Sequence, residues 1–216
     1  MSEYKRNQVE EAISGVLEPR SPEPTAELRT RIKRLLETDR AFSRVPRSAD
    51  PERSNYAFYS ADAPGSGVEI LFSGYEAFAI LSGLRLMAHG WPQGFAVSVM
   101  RRVRPKLEKE HARILKQDAN TLFDQEAIRR DAKPGGMVFD NTNPVLLTIV
   151  SKWGIALAEE EEPHACDVCR GPVEANKFFW KVSGGTGGST MFELVGTAHE
   201  LASALSRTEP RHRGRG

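Results

Sequence analysis

Ser73-Gly-Tyr-Glu76 opens a stretch of chain with very few ways to fold. Ser followed three residues later by Glu forms a capping box, in which each side chain satisfies a backbone N–H at a helix start. The segment to about His89 then carries Tyr75, Phe78, Ile80, Leu81, Leu84, Leu86 and Met87 around nearly its whole circumference. A helix that is apolar on most sides must be buried on most sides. It is expected to be the central core helix, and the remaining chain must supply the surfaces that cover it.

Two amphipathic helices precede it. Val9, Ile13, Val16 and Leu17 form one apolar stripe and Leu28, Ile32, Leu35 and Leu36 another, separated by three prolines between Pro19 and Pro24. Tyr56-Ala-Phe-Tyr59 and Val68-Glu-Ile-Leu-Phe72, on either side of the turn-rich Asp62–Gly67, read as a β-hairpin. After Gly90 and Pro92 a further helix keeps its spacing through Phe95, Val99, Met100, Val103 and Leu107, with Pro105 expected to kink or split it. Val145–Val150 reads as a strand, and Phe178–Val182 with Thr190–Val195 reads as a second hairpin around Gly184-Gly-Thr-Gly-Gly188. Thr197-Ala-His-Glu200 repeats the capping-box pattern before a short final helix.

The fold class that follows is α+β, with helices and a β-hairpin in the N-terminal half and a small mixed sheet plus a terminal helix in the C-terminal half. The expected division is residues 1–140, a helical, winged-helix-like portion; 141–206, a small strand-rich portion; and 207–216, a disordered basic tail.

Thirty Lys and Arg residues against 29 Asp and Glu give no global electrostatic preference, so any footprint must be local. Leu28–Arg47 holds seven basic residues against two acids, and Val97–Asp118 seven against three. Centring Leu28 on the buried face of its helix turns Arg29, Lys33, Arg34 and Arg40 to the opposite side, and Arg31 adds to the same basic run. Glu159–Glu162 carries part of the compensating acid and reads as a solvated segment.

The pattern Tyr75…Leu84-Arg-Leu-Met-Ala-His-Gly90-Trp-Pro-Gln93…Val97 resembles the helix-turn-helix of MerR-type bacterial regulators, in which a glycine ends the first helix. The resemblance covers residues 75–104, and the Gly-containing turn between two helices followed by Arg101, Arg102 and Arg104 is itself an arrangement that can present a basic helix to double-stranded DNA. Packing in the core is the competing reading of the same residues. Further toward the N-terminus, two helices followed by a hairpin resemble the tail of a winged-helix domain. That likeness makes the basic face of Thr25–Arg40 the reader and sets Pro64-Gly65 at the wing tip. Arg29, Arg31, Lys33, Arg34, Arg40, Arg101, Arg102 and Arg104 are therefore the candidate phosphate contacts.

His164-Ala-Cys166-Asp-Val-Cys169 offers up to three zinc ligands, because thiolates two residues apart on a turn can reach one tetrahedral ion. A redox-active pair and inert thiols are the alternatives, and no other cofactor is assigned. The glycine-rich 184–188 segment lacks the Lys and Ser/Thr of a phosphate loop and reads as a hairpin turn. No nucleophile with an attendant base, no paired carboxylates in an apolar setting and no two-histidine metal motif is legible, so no catalytic residue is named. Two cysteines make no disulfide framework, and no signal peptide or membrane span is read, which leads to a cytoplasmic expectation. The function expected is that of a non-enzymatic, prokaryotic-type DNA-binding regulator, with a second copy of the chain in a homodimer as a further candidate partner. The alternative is a protein-interaction or adaptor module that binds no nucleic acid.

Overall fold

The computed structural model describes residues 3–62, 69–132, 138–152 and 163–210. It is an α+β chain, as expected, and divides into two compact units, residues 1–108 with 200–216 and residues 109–199. The divisions fall inside two helices rather than at residue 140.

In the first unit, strand β1 (Glu3–Lys5) pairs antiparallel with β2 (Leu71–Ser73), Tyr4 opposite Phe72. Helix α1 (Arg6–Leu17) buries Val9, Ala12 and Ile13, while Leu17 is exposed. Helix α2 (Ala26–Ala41) starts at Thr25, whose hydroxyl accepts from Leu28 N at 3.1 Å. Its inner stripe is Leu28, Ile32, Leu35, Leu36 and, one turn on, Asp39. A short turn of helix, α3 (Pro51–Ser54), follows.

Helix α4 (Gly74–Ala88) is buried without a break from Tyr75 to Leu84, as its composition requires. Ser73 Oγ accepts from Glu76 N at 3.2 Å and Glu76 Oε2 accepts from Ser73 N at 2.7 Å, so the capping box is in place. Gly83 makes the packing of α4 possible: a Cβ there would stand 3.0 Å from Leu35 Cδ2 and 3.2 Å from the Phe58 ring. Helix α5 (Gln93–Ile114) continues through Pro105 rather than splitting.

The expected first hairpin does not form. Ala57, Phe58 and Tyr59 are buried, but Tyr56–Tyr59 is not a strand, and β2 pairs with β1 instead. The reason lies in where the backbone bonds go. The Asp39 carboxylate accepts from Ala57 N and Phe58 N at 2.9 to 3.1 Å, and Arg104 donates to the carbonyls of Tyr56 and Tyr59. Backbone groups satisfied by side chains have no need of a ladder. The proposed wing tip at Pro64-Gly65 lies outside the described residues.

The second unit holds two short helices, α6 (Ala119–Leu122) and α7 (Gln125–Asp131), and then a three-stranded antiparallel sheet. Strand β3 (Val145–Ser151) is its centre, flanked by β4 (His164–Arg170) and β5 (Gly188–Glu193). Helix α8 (Gly171–Ser183) connects the two outer strands.

Phe178–Val182 is thus helix, not strand. A short aromatic run reads alike in both states, and the helical spacing that decides it packs Ala175 and Phe178 with Leu146 and Cys169 while leaving Trp180 57% exposed. Gly184, at φ 58°, ends α8 in the left-handed conformation, so the glycine run is a helix stop rather than a hairpin turn.

Helix α9 (Val195–Ser206) begins two residues before Thr197. Its first amides, Val195 N and Gly196 N, donate to the Glu193 carboxylate at 2.8 and 3.0 Å, so Glu193 caps it and Thr197 does not. Among the described residues no helix is long and apolar enough to cross a membrane. The Glu159–Glu162 run and Arg211–Gly216 lie outside the described residues.

Candidate binding groove

Two of the three α5 arginines named from sequence are internal. Arg101 is 1% exposed; its Nε donates to Asp39 Oδ1 at 2.6 Å, and its remaining N–H groups reach the carbonyls of Asp39, Phe42, Ser43 and Glu52. Arg104, 7% exposed, is held by the carbonyls of Tyr56 and Tyr59 and lies 5.4 Å from the Tyr75 ring centre. Guanidinium groups fixed in this way cannot reach a phosphate. Arg102 pairs with Glu52, Nε to Oε2 at 3.1 Å. Burial pushes the Glu52 carboxyl up, but hydrogen bonds from Arg102 and Ser98 and the charges of Arg102 and Arg101 outweigh it and hold Glu52 below the usual carboxylate range. Arg101 and Arg104 are therefore corrected to internal residues that organise the Phe42–Tyr59 segment, while Arg102 stays partly exposed beside Glu52.

The α2 cations are placed differently. Arg29, Arg31, Lys33, Arg34 and Arg40 are all exposed, anchored by the apolar stripe behind them. Three have acidic neighbours: Arg29 Nε lies 3.8 Å from Glu10, Arg31 pairs with Glu27, and Lys33 Nζ lies 3.7 Å from Glu37.

Lys33, Leu36, Glu37 and Arg40, at i, i+3, i+4 and i+7, form one stripe on α2. That stripe lines one side of a groove of about 530 Å³. Lys5 and Arg6, where β1 passes into α1, Glu69 and Ile70 ahead of β2, and Phe72 within it complete the lining with Tyr59. Four cations therefore surround a lining that includes Leu36, Tyr59, Ile70 and Phe72.

Both acids of the groove are already engaged, Glu37 with Lys33 and Glu69 with Lys5 at 3.0 Å. The Arg40 guanidinium sits 4.4 Å from the centre of the Tyr59 ring, in cation–π range. Burial pushes the Tyr59 phenol up to about 12 against the opposing Arg40 charge, so the ring is neutral at physiological pH. The groove can accordingly take a group with an anionic part and an apolar part. Its signal in the sequence was the stripe from Lys33 to Arg40; Lys5, Arg6, Tyr59 and Phe72 join only through the fold.

The expected Cys-x-x-Cys zinc site is not assembled. His164, Cys166 and Cys169 lie on strand β4, not on a turn. Successive side chains of a strand alternate faces, so the three-residue step from Cys166 to Cys169 sends the thiols to opposite sides, with His164 on the Cys166 side. Matched against protein-family models, curated proteins and solved structures, the chain has no counterpart among any of the three.

Proposed function

We propose that this chain is a non-enzymatic protein-interaction module whose first unit docks an extended acidic segment of a partner protein. The observation that carries the reading is the groove, where Lys5, Arg6, Lys33 and Arg40 surround a lining that includes Tyr59, Phe72 and Leu36. A few side chains fill a space of about 530 Å³. Carboxylates of the partner meet the rim cations, and an intervening apolar side chain rests on the aromatic floor.

Duplex DNA is the weaker match. Its affinity rests on many simultaneous phosphate contacts. Here Arg101 and Arg104 are internal and Arg102 is paired with Glu52, so the α5 helix adds little to the α2 cations.

The test is fluorescence anisotropy of the full chain with a labelled peptide alternating Glu and Leu, with its Lys-for-Glu counterpart, and with a random-sequence duplex. The Glu peptide is expected to bind and the Lys peptide not. Lys33→Glu with Arg40→Glu should weaken binding by about tenfold or more, the scale of two lost partly screened ion pairs plus repulsion, with the thermal melt retained. Duplex binding that falls steeply with salt, with no peptide binding, would overturn the reading in favour of DNA contact through Arg29, Arg31, Lys33, Arg34 and Arg40.

A further inference from the structure

The second unit holds a ligand cluster that the Cys-x-x-Cys motif did not anticipate. Asp167 and Cys169, two residues apart on β4, share the sheet face on which Cys169 packs with Leu146 and Ala175 of α8. Glu174, in the first turn of α8, joins them, and one ligand atom from each of Asp167, Cys169 and Glu174 lies within 4.8 Å of the others. Local bonds orient both carboxylates: Asp167 Oδ1 accepts from Val168 N at 2.7 Å, and Glu174 Oε2 accepts from Arg170 N at 2.7 Å.

A second observation points to the same place. Thr148 is Asp167's direct partner across the ladder, so their side chains stand side by side on this face. Its hydroxyl is fully buried and has no hydrogen-bond partner among the described residues. A hydroxyl withdrawn from water normally finds a partner.

We propose that Asp167, Cys169 and Glu174 bind a divalent transition-metal cation of the Zn²⁺ class. A thiolate and two carboxylates are ligands that zinc accepts, and three protein ligands leave a fourth tetrahedral position for water. The Thr148 hydroxyl supplies a hydrogen-bond partner for that water, in the way outer groups orient metal ligands. Binding replaces the Cys169 thiol proton, which passes to solvent, by the metal–sulfur bond. Beside the apolar Leu146, Phe139, Phe178 and Met191, the ion offsets two of the three negative charges of the thiolate and the two carboxylates.

The test is titration of the chelator-stripped full chain with Co²⁺ and with Zn²⁺. One equivalent of Co²⁺ is expected to give a sulfur-to-cobalt charge-transfer band, and Zn²⁺ to bleach it and raise the melting temperature. Cys169→Ser should abolish the band, Glu174→Gln should weaken binding strongly while retaining the fold, and Cys166→Ser, on the opposite face, should leave the titration unchanged. Thr148→Val should raise the melting temperature of the metal-free chain by removing the orphan hydroxyl, yet weaken Zn²⁺ binding by roughly 10- to 100-fold. No band, or a band lost in Cys166→Ser and kept in Cys169→Ser and Glu174→Gln, would overturn the assignment.

Discussion

Asp39→Ala is expected to cost the chain about 3–5 kcal/mol of stability, the range found when one partner of a buried ion pair is removed. Asp39 is 0% exposed, and its carboxylate accepts from Arg101 Nε at 2.6 Å and from Ala57 N and Phe58 N at 2.9 to 3.1 Å. Removing it leaves a buried guanidinium without its counter-charge and two buried amides without acceptors. Each amide alone carries a penalty of about 1–3 kcal/mol.

The effect should be much smaller for Arg102→Ala, about 1 kcal/mol, because Arg102 and Glu52 both keep contact with water. Asp39→Leu combined with Arg101→Met should recover only the part of the loss due to the uncompensated guanidinium, since the Ala57 and Phe58 amides still lack their acceptor. The measurement is urea denaturation followed by circular dichroism for the three variants. A loss below about 1 kcal/mol for Asp39→Ala would show that the pair does not hold Phe42–Tyr59 in place.

How much of this was legible follows from the same residues. The α+β class and the course of α4 were readable because the capping box and all-round apolarity are local signals. Asp39 was readable in principle: it continues the stripe Leu28, Ile32, Leu35, Leu36 by one turn, and a carboxylate on an apolar stripe demands a buried cation. Reading the α5 arginines as a solvated basic run overlooked that demand. Tyr56–Tyr59 looked like a strand because its composition suits one; Asp39 and Arg104, distant in sequence, take over its backbone bonds. The cysteine motif fails as a chelate once it is known to be extended, and that depends on pairing with β3. For the same reason the cluster at Asp167, Cys169 and Glu174 could not be seen: it needs both the pleat of β4 and the return of α8. The groove draws on four separate segments, of which only the α2 stripe has a local pattern.

Lowering the pH from 6.5 toward 4 is expected to destabilise the protein through His111. This side chain is 6% exposed, and burial, with a smaller contribution from the charge of His199, pushes its pKa down to about 4 from 6.5. Between those two values the unfolded chain binds a proton that the folded chain refuses, so stability falls as pH falls, by up to about 1.4 kcal/mol per unit. The full effect approaches roughly 3 kcal/mol near pH 4, below which both states carry the proton and this contribution stops changing.

The His199 ring packs edge-on against Phe123 at 5.4 Å, and His199 Nε2 is buried with no hydrogen-bond partner among the described residues. Two carboxylates shape the same profile. Glu110, held low by hydrogen bonds from Arg170 and Arg113 that outweigh its burial, loses its contribution only as pH falls below the ordinary carboxylate range. Glu193, raised by burial and the nearby Asp140 charge, acts in the opposite sense, gaining its proton earlier in the folded state.

Comparison with His111→Leu isolates the histidine. Wild type should lose about 2 kcal/mol more than the variant between pH 6.5 and pH 5, read from urea midpoints at each pH. Parallel profiles for the two proteins would mean that the folded chain protonates His111 without penalty.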